Sequence, residues 1–130
     1  MSTTDNRPVF LNLLRIHQPV TAVLSILHRI SGVLMILSLP GLVYLLSLSL
    51  EDQAGFTRVA ALLGSLPMRL LGVLFVWALS HHLLAGIRFM LLDFDVGITR
   101  MTARYTAWLV HGLALMTSLF AGWVMLGGGT

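Results

Sequence analysis

Most of the residues in this 130-residue chain with the chemistry to act on a bound group fall in two short runs. The first is Ser25-Ile26-Leu27-His28-Arg29-Ile30-Ser31-Gly32. On a helix, Ser25, His28, Arg29 and Gly32 recur at i, i+3, i+4 and i+7 and share one face. That face offers a hydroxyl for hydrogen bonding, a cation for neutralising charge, and a glycine that makes room. The plainer alternative is an arginine reaching to lipid headgroups with a histidine beside it. The second run is Ser80-His81-His82-Leu83-Leu84-Ala85-Gly86-Ile87-Arg88, followed by Asp93.

Histidines inside an apolar segment cost free energy and usually mark function. A neutral imidazole nitrogen binds haem iron well. Gly86 lies one turn after His82, where it leaves the gap that a flat macrocycle needs. The alternative is that His81 and His82 hydrogen-bond to neighbouring helices. His111, farther along, reads as a structural hydrogen-bonding group.

The segments carrying these runs must be membrane-spanning helices. The chain is 57% hydrophobic and only 10% charged, and its mean hydropathy is +0.91. Soluble domains carry about 25% charged residues. So short and apolar a chain needs lipid or protein partners around it. No acidic or basic side chain occurs from Ile30 to Leu50, and between Arg69 and Arg88 the only ones are His81 and His82. After Arg104 the only one is His111. A spanning helix takes about 20 apolar residues. Three transmembrane helices are therefore expected, near residues 24–50, 67–92 and 105–126, in a single all-α membrane-anchor domain over 1–130. Helix is the conformation that satisfies every backbone polar group within the segment. The linker Glu51–Leu66 reads as a loop or short surface helix, and Pro67 suits a helix start. Ala114, Ser118 and Gly122 form a small-residue face for close packing. The seven methionines and scattered aromatics read as packing and interface anchors.

Charge and composition bound the remaining options. There is no cysteine, which excludes disulfides and thiolate metal or cluster ligation within the chain. The eight basic residues include no lysine, and no basic patch with interleaved aromatics suggests nucleic acid. The first residues read as part of the mature protein, because Asp5, Arg7 and Arg15 interrupt any signal-like apolar core. Arg7, Arg15, Arg29, Arg88, Arg100 and Arg104 lie on one side of the expected membrane, and Arg58 and Arg69 on the other. Positive residues concentrate in the cytoplasm, so the N-terminus and the second connection are expected there. Arg88 is then near the cytoplasmic end of the second span, with His82 about 9 Å deeper at 1.5 Å per residue. A haem ligated at His82 would extend its propionates toward His28 and Arg29, whose positive charge would neutralise them.

These residues resemble a known family. Arg7-Pro8, the octet Ser25 to Gly32, His82 four residues before Gly86-Ile87-Arg88, and Asp93 are similar to the cytochrome b large anchor subunit of succinate dehydrogenase. The likeness runs from Arg7 to Phe94 and includes the three-helix plan. It implies that His82 is the axial ligand of a haem b, with the second ligand on a small membrane anchor subunit in a shared helical bundle. It implies that Ser25 and Arg29 line a quinone site, and that His28 and Arg29 meet the haem propionates. Succinate oxidation would then belong to a flavoprotein subunit, with an iron–sulfur subunit carrying electrons to the membrane. The expected location is the inner, cytoplasmic membrane of a bacterium. One departure stands out: many members carry histidine directly after Gly-Ile-Arg, where this chain has Phe89. His81 beside His82 is a competing ligand, and the family spacing favours His82.

Quinone reduction takes two electrons and two protons. Ser25 can hydrogen-bond a quinone carbonyl, and Arg29 can stabilise negative charge developing on its oxygen. Asp93 reads either as part of a proton-uptake path or as a surface carboxylate. Rival readings are a fumarate reductase anchor, a small transporter whose histidines relay protons, and an assembly subunit without cofactor.

Overall fold

The computed structural model describes residues 16–127. Asp5, Arg7, Pro8, Arg15, Gly128 and Gly129 lie outside the described residues. Every regular element among those described is helical: α1 (Val20–Glu51), α2 (Gln53–Gly64), α3 (Leu66–Asp93) and α4 (Arg100–Gly122), which widens into a π-helical turn at Trp123–Gly127. The helices α1, α3 and α4, the last with its π-helical turn, are long and apolar enough to cross a membrane.

Each is longer than the apolar stretch that marks it, because a helix runs on until something caps it. Thr99 caps α4 by accepting from the Thr102 amide at 3.3 Å. Helix α3 starts with Pro67 in its first turn and ends in a Schellman arrangement. The Val96 amide donates to the Leu91 carbonyl and the Asp95 amide to that of Leu92, with Asp95 in the left-handed region at φ 59°. The linker forms the short helix α2, capped by Asp52, whose side chain accepts from the Gly55 amide. A side chain at Gly55 would run into the Leu48 carbonyl of α1, so glycine lets α2 fold back against it.

Helix α3 lies between α1 and α4 and packs extensively on both. Its α4-facing side is the buried set Ala78, His81, Ala85 and Arg88. Helix α4 answers with Ala107, Val110, Ala114, Ser118 and Ala121. The small residues expected at Ala114 and Ser118 are thus at a close-packed seam, where short side chains let backbones approach. Near the cytoplasmic end expected from the arginines, Leu24 of α1 joins Ala85, Ala107 and Val110 in the small shared core. Most other apolar side chains of α1 face outward, including Val33, Ile36, Leu37, Val43 and Leu46.

Candidate functional site

The α1–α3 seam brings together His28 and His82 from separate runs. Their rings stack with centroids 4.1 Å apart and planes 10° apart. The contact is possible because of a glycine, though not the one expected. A Cβ on Gly32 of α1 would lie 3.0 Å from Cε1 of His82 and 3.3 Å from its Nδ1. Gly32 is therefore the seat of His82. Gly86 instead faces His28, whose Nε2 lies 3.6 Å from where its Cβ would be. Helical periodicity correctly placed Gly86 on the His82 face of α3, but the crossing of α1 over α3 sets which ring fills the gap.

The hydrogen bonds of His82 fix its tautomer. Nδ1 lies 3.0 Å from the His28 carbonyl oxygen, which can only accept, so Nδ1 carries the proton and donates. The Ser31 hydroxyl is 3.3 Å from the same nitrogen and donates to the same carbonyl at 2.8 Å. Nε2 is left with its lone pair and has no hydrogen-bond partner among the described residues. It is not among the buried, unpartnered nitrogens. A ring held through Nδ1 by a backbone carbonyl, with Nε2 free, is the usual state of a metal-ligating histidine. His82 thus fits an iron ligand on its donor chemistry.

The other expected site residues have different surroundings. Ser25 and His28 are half-buried and Arg29 is exposed. Ser31, Ser38, Ser49 and Ser118 each donate their hydroxyl to a carbonyl one turn back. Ser25 makes no such bond with any described residue. His28 does not stand above His82 toward the helix end; it lies alongside it. Phe89, in place of the frequent family histidine, packs edge-on against His28 with centroids 5.2 Å apart. Asp93 is exposed in the last turn of α3.

His81 points the other way, into the α3–α4 seam, where it is 1% exposed. Its Nε2 lies 3.3 Å from Nδ1 of His111. His111 is therefore a hydrogen-bonding group between helices, as expected, and its partner is the histidine next to His82. Arg88 was read as a residue near a helix end. It is 7% exposed, with Nε donating to the Thr106 hydroxyl at 3.0 Å and Nη2 to the Ala103 carbonyl at 2.9 Å. The clue to both pairings is height in an antiparallel pair. His81 lies twelve residues before Asp93, the end of α3, and His111 eleven after Arg100, the start of α4.

An apolar groove of about 390 Å³ lies farther along the α1–α3 interface, lined by Leu37, Gly41, Leu45, Met68 and Phe75 among others. It holds no charged or imidazole side chain and suits acyl chains rather than chemistry.

Three long apolar helices with their imidazoles and an inward-facing arginine held between them define an integral, multi-pass membrane protein. A profile of the succinate dehydrogenase/fumarate reductase transmembrane subunit family matches residues 3–121, and the chain belongs to that family. It is also similar to the succinate dehydrogenase cytochrome b556 subunit of Coxiella burnetii, with 33% identity over 120 residues. That alignment covers 91% of this chain and 96% of the relative. The resemblance read from Arg7-Pro8, the Ser25–Gly32 octet and the His82 motif is borne out.

Proposed function

We propose that the whole chain forms one membrane-anchor unit of a succinate:quinone oxidoreductase, binding haem b with a partner subunit and contributing to the quinone-reduction site. The observation that carries this reading is the state of His82. Its Nδ1 proton is committed to the His28 carbonyl, leaving Nε2 as a free lone pair beside the run that holds Ser25, His28 and Arg29. The name of the Coxiella relative, a cytochrome b556 subunit of succinate dehydrogenase, supports both the haem and the direction of turnover.

In this reading His82 would hold the haem iron through Nε2, and a small membrane anchor subunit would complete the site. The haem, when bound, provides a one-electron redox centre within the membrane. Ser31 and the His28 carbonyl hold the His82 ring in place. Gly32 lets that ring lie against α1. Arg29 supplies positive charge, and both Arg29 and His28 supply hydrogen-bond donors, for propionates. Ser25, whose hydroxyl bonds no carbonyl among the described residues, hydrogen-bonds a quinone carbonyl. Arg29, one turn on, stabilises negative charge as the quinone oxygen is reduced. Succinate oxidation occurs on a flavoprotein subunit, and an iron–sulfur subunit docked on the cytoplasmic face delivers the electrons. The N-terminus and the α3–α4 connection are cytoplasmic, and the membrane is the bacterial inner membrane.

A reduced-minus-oxidised optical spectrum of the purified complex, with its co-purifying subunits identified, tests the proposal. A b-type band together with flavin- and iron–sulfur-bearing subunits is expected. A complex with those subunits but no b-type band would remove the haem. Co-purification without either soluble subunit would remove the oxidoreductase.

A further inference from the structure

His81 and His111 are outside the proposed cofactor site, yet their geometry bears on it. The two rings are 5.3 Å apart between centroids, tilted by 30°, and bonded nitrogen to nitrogen. The outer nitrogens, Nδ1 of His81 and Nε2 of His111, are buried with no partner. Trp77 flanks His81 at 5.4 Å and Trp108 meets His111 edge-on at 6.2 Å. Whichever ring donates, one outer nitrogen is left as a buried donor and the other as a buried acceptor. The bond between the rings is thus the one side-chain hydrogen bond either makes among the described residues, and the Val20 backbone is a further polar neighbour of His111 alone. Losing it would leave the His81 imidazole wholly unbonded in an apolar seam.

Apolar packing alone would not hold α3 in one rotation about its axis. Several neighbouring contacts of that seam are alanines, and Ala85 against Ala107 can slide or turn with little loss. A nitrogen-to-nitrogen hydrogen bond is directional and weakens steeply when misaligned. Arg88 repeats the device two turns on, gripping the Thr106 hydroxyl and the Ala103 carbonyl. His81 and Arg88 are seven residues apart, on one face of α3 and separated by about 10.5 Å along it. Two directional clasps at different heights fix both the rotation and the slide of α3 against α4.

His82 is the next residue after His81, about 100° around the same helix, and it faces α1. Turning α3 to break the His81–His111 bond would swing His82 away from the His28 carbonyl and from its seat on Gly32. We infer that His81 and His111 form a positioning pair, clasping α3 to α4 so that the His82 ring is held at the angle its ligand role requires. This rests on the reading of His82 as the haem ligand. The pair neither touches the iron nor lines the quinone site. Its effect passes through the backbone of one residue.

The test uses the assembled complex and variants that either remove or mimic the bonded nitrogen. His111→Leu deletes it. His111→Asn places an amide where Nδ1 lay, and His81→Gln does the same for Nε2. Haem content, the low-spin g-values by electron paramagnetic resonance, and the haem midpoint potential are measured on each. His111→Leu is expected to retain haem but to shift the g-values and the midpoint potential. His111→Asn and His81→Gln are expected to bring both back toward wild type. Wild-type g-values and potential in His111→Leu would overturn the inference. So would equal loss of haem in His111→Leu and His111→Asn, which would make the pair a requirement of folding instead. His82→Ala, run alongside, separates the two levels. If it keeps the low-spin signal, the ligand assignment has failed and the positioning role falls with it.

Discussion

The two seams of α3 use the same kind of residue for opposite ends. On the α4 side the packing is closed: small side chains meet, His81 is bonded to His111, and the Arg88 guanidinium is held by Thr106 and Ala103. On the α1 side the packing is open: two half-buried imidazoles stack, and His82 commits one nitrogen while keeping the other. Much of the apolar surface of α1 beyond that seam has no counterpart among the described residues. The α3–α4 seam is therefore the more closed of the two, although α4 also turns Trp108, Met116, Leu119 and Phe120 outward. Helix α1 and the His82 edge of α3 form the part built for something outside the chain, whether lipid, cofactor or partner subunit. Under the proposed function, adjacent residues on one helix divide the work, His81 toward structure and His82 toward ligation.

Exchanging the two histidines for alanine is the most direct way to break that contrast, with the largest expected effect. His82→Ala should abolish the low-spin b-type spectrum, because it removes the one imidazole whose Nε2 is free on a ring fixed by the backbone. His81→Ala should leave most of the haem bound and perturb it less, since its ring faces α4. Pyridine haemochrome quantification on purified complexes checks both. A spectrum lost only in His81→Ala would assign the ligand to the wrong neighbour.

The open seam makes a second, smaller demand. An uncharged quinone gains negative charge on its oxygens as it is reduced, so a guanidinium helps the reaction more than it helps binding. Removing one such donor costs about 2.7–4 kcal/mol in other enzymes, or about 100- to 1000-fold in rate. Arg29→Leu and Ser25→Ala are each expected to slow quinone reduction to that degree. Succinate oxidation with a soluble artificial acceptor should survive in both. Wild-type quinone reductase rates would exclude these two residues from the site, and parallel loss of both activities would indicate failed assembly.

How much of this was legible in the sequence depended on whether a feature belongs to one helix or to two. The three spans follow from runs without charge. His28, Arg29 and His82 stand out because an ionisable group in such a run is costly. Ser25 stood out as a hydrogen-bonding group, while the part of Ser31 was not legible. A serine that bonds the carbonyl three residues back looks, in sequence, like any other helical serine. Gly32 and Gly86 were both visible, yet their partners were not, because the meeting of α1 and α3 depends on how the helices cross and not on periodicity. Arg88 does lie near the end of α3, where an arginine usually reaches outward to headgroups, but its inward turn was not legible from position alone. Helix α4 begins near enough that Thr106 and the Ala103 carbonyl lie within its reach and draw it inward.

The finest test of the contrast is a series of glycine-to-alanine changes, ordered by the space each leaves. At Gly32 the new Cβ would lie 3.0 Å from a ring carbon of His82, tighter than ordinary packing, and the ring is tethered through Nδ1 and cannot retreat freely. It must tilt and lengthen its bond to the His28 carbonyl. Disturbing the groups that orient a metal ligand typically costs about 10- to 100-fold in affinity or activity. A shift of a few tenths of an ångström belongs at the lower edge of that range, so Gly32→Ala is expected to weaken haem retention by about tenfold. At Gly86 the new methyl would meet His28 at an ordinary 3.6 Å, and at Gly112 nothing lies within 4 Å. Gly86→Ala should therefore alter the haem spectrum little, and Gly112→Ala not at all. Alanine also favours helix over glycine by about 1 kcal/mol, so neither change should impair assembly. Haem per complex during dilution, followed by absorbance, ranks the three. A Gly86→Ala complex that loses haem as readily as Gly32→Ala would show that the macrocycle itself occupies the gap beside His28. The seat of the cofactor would then extend along α3 beyond the His82 ring.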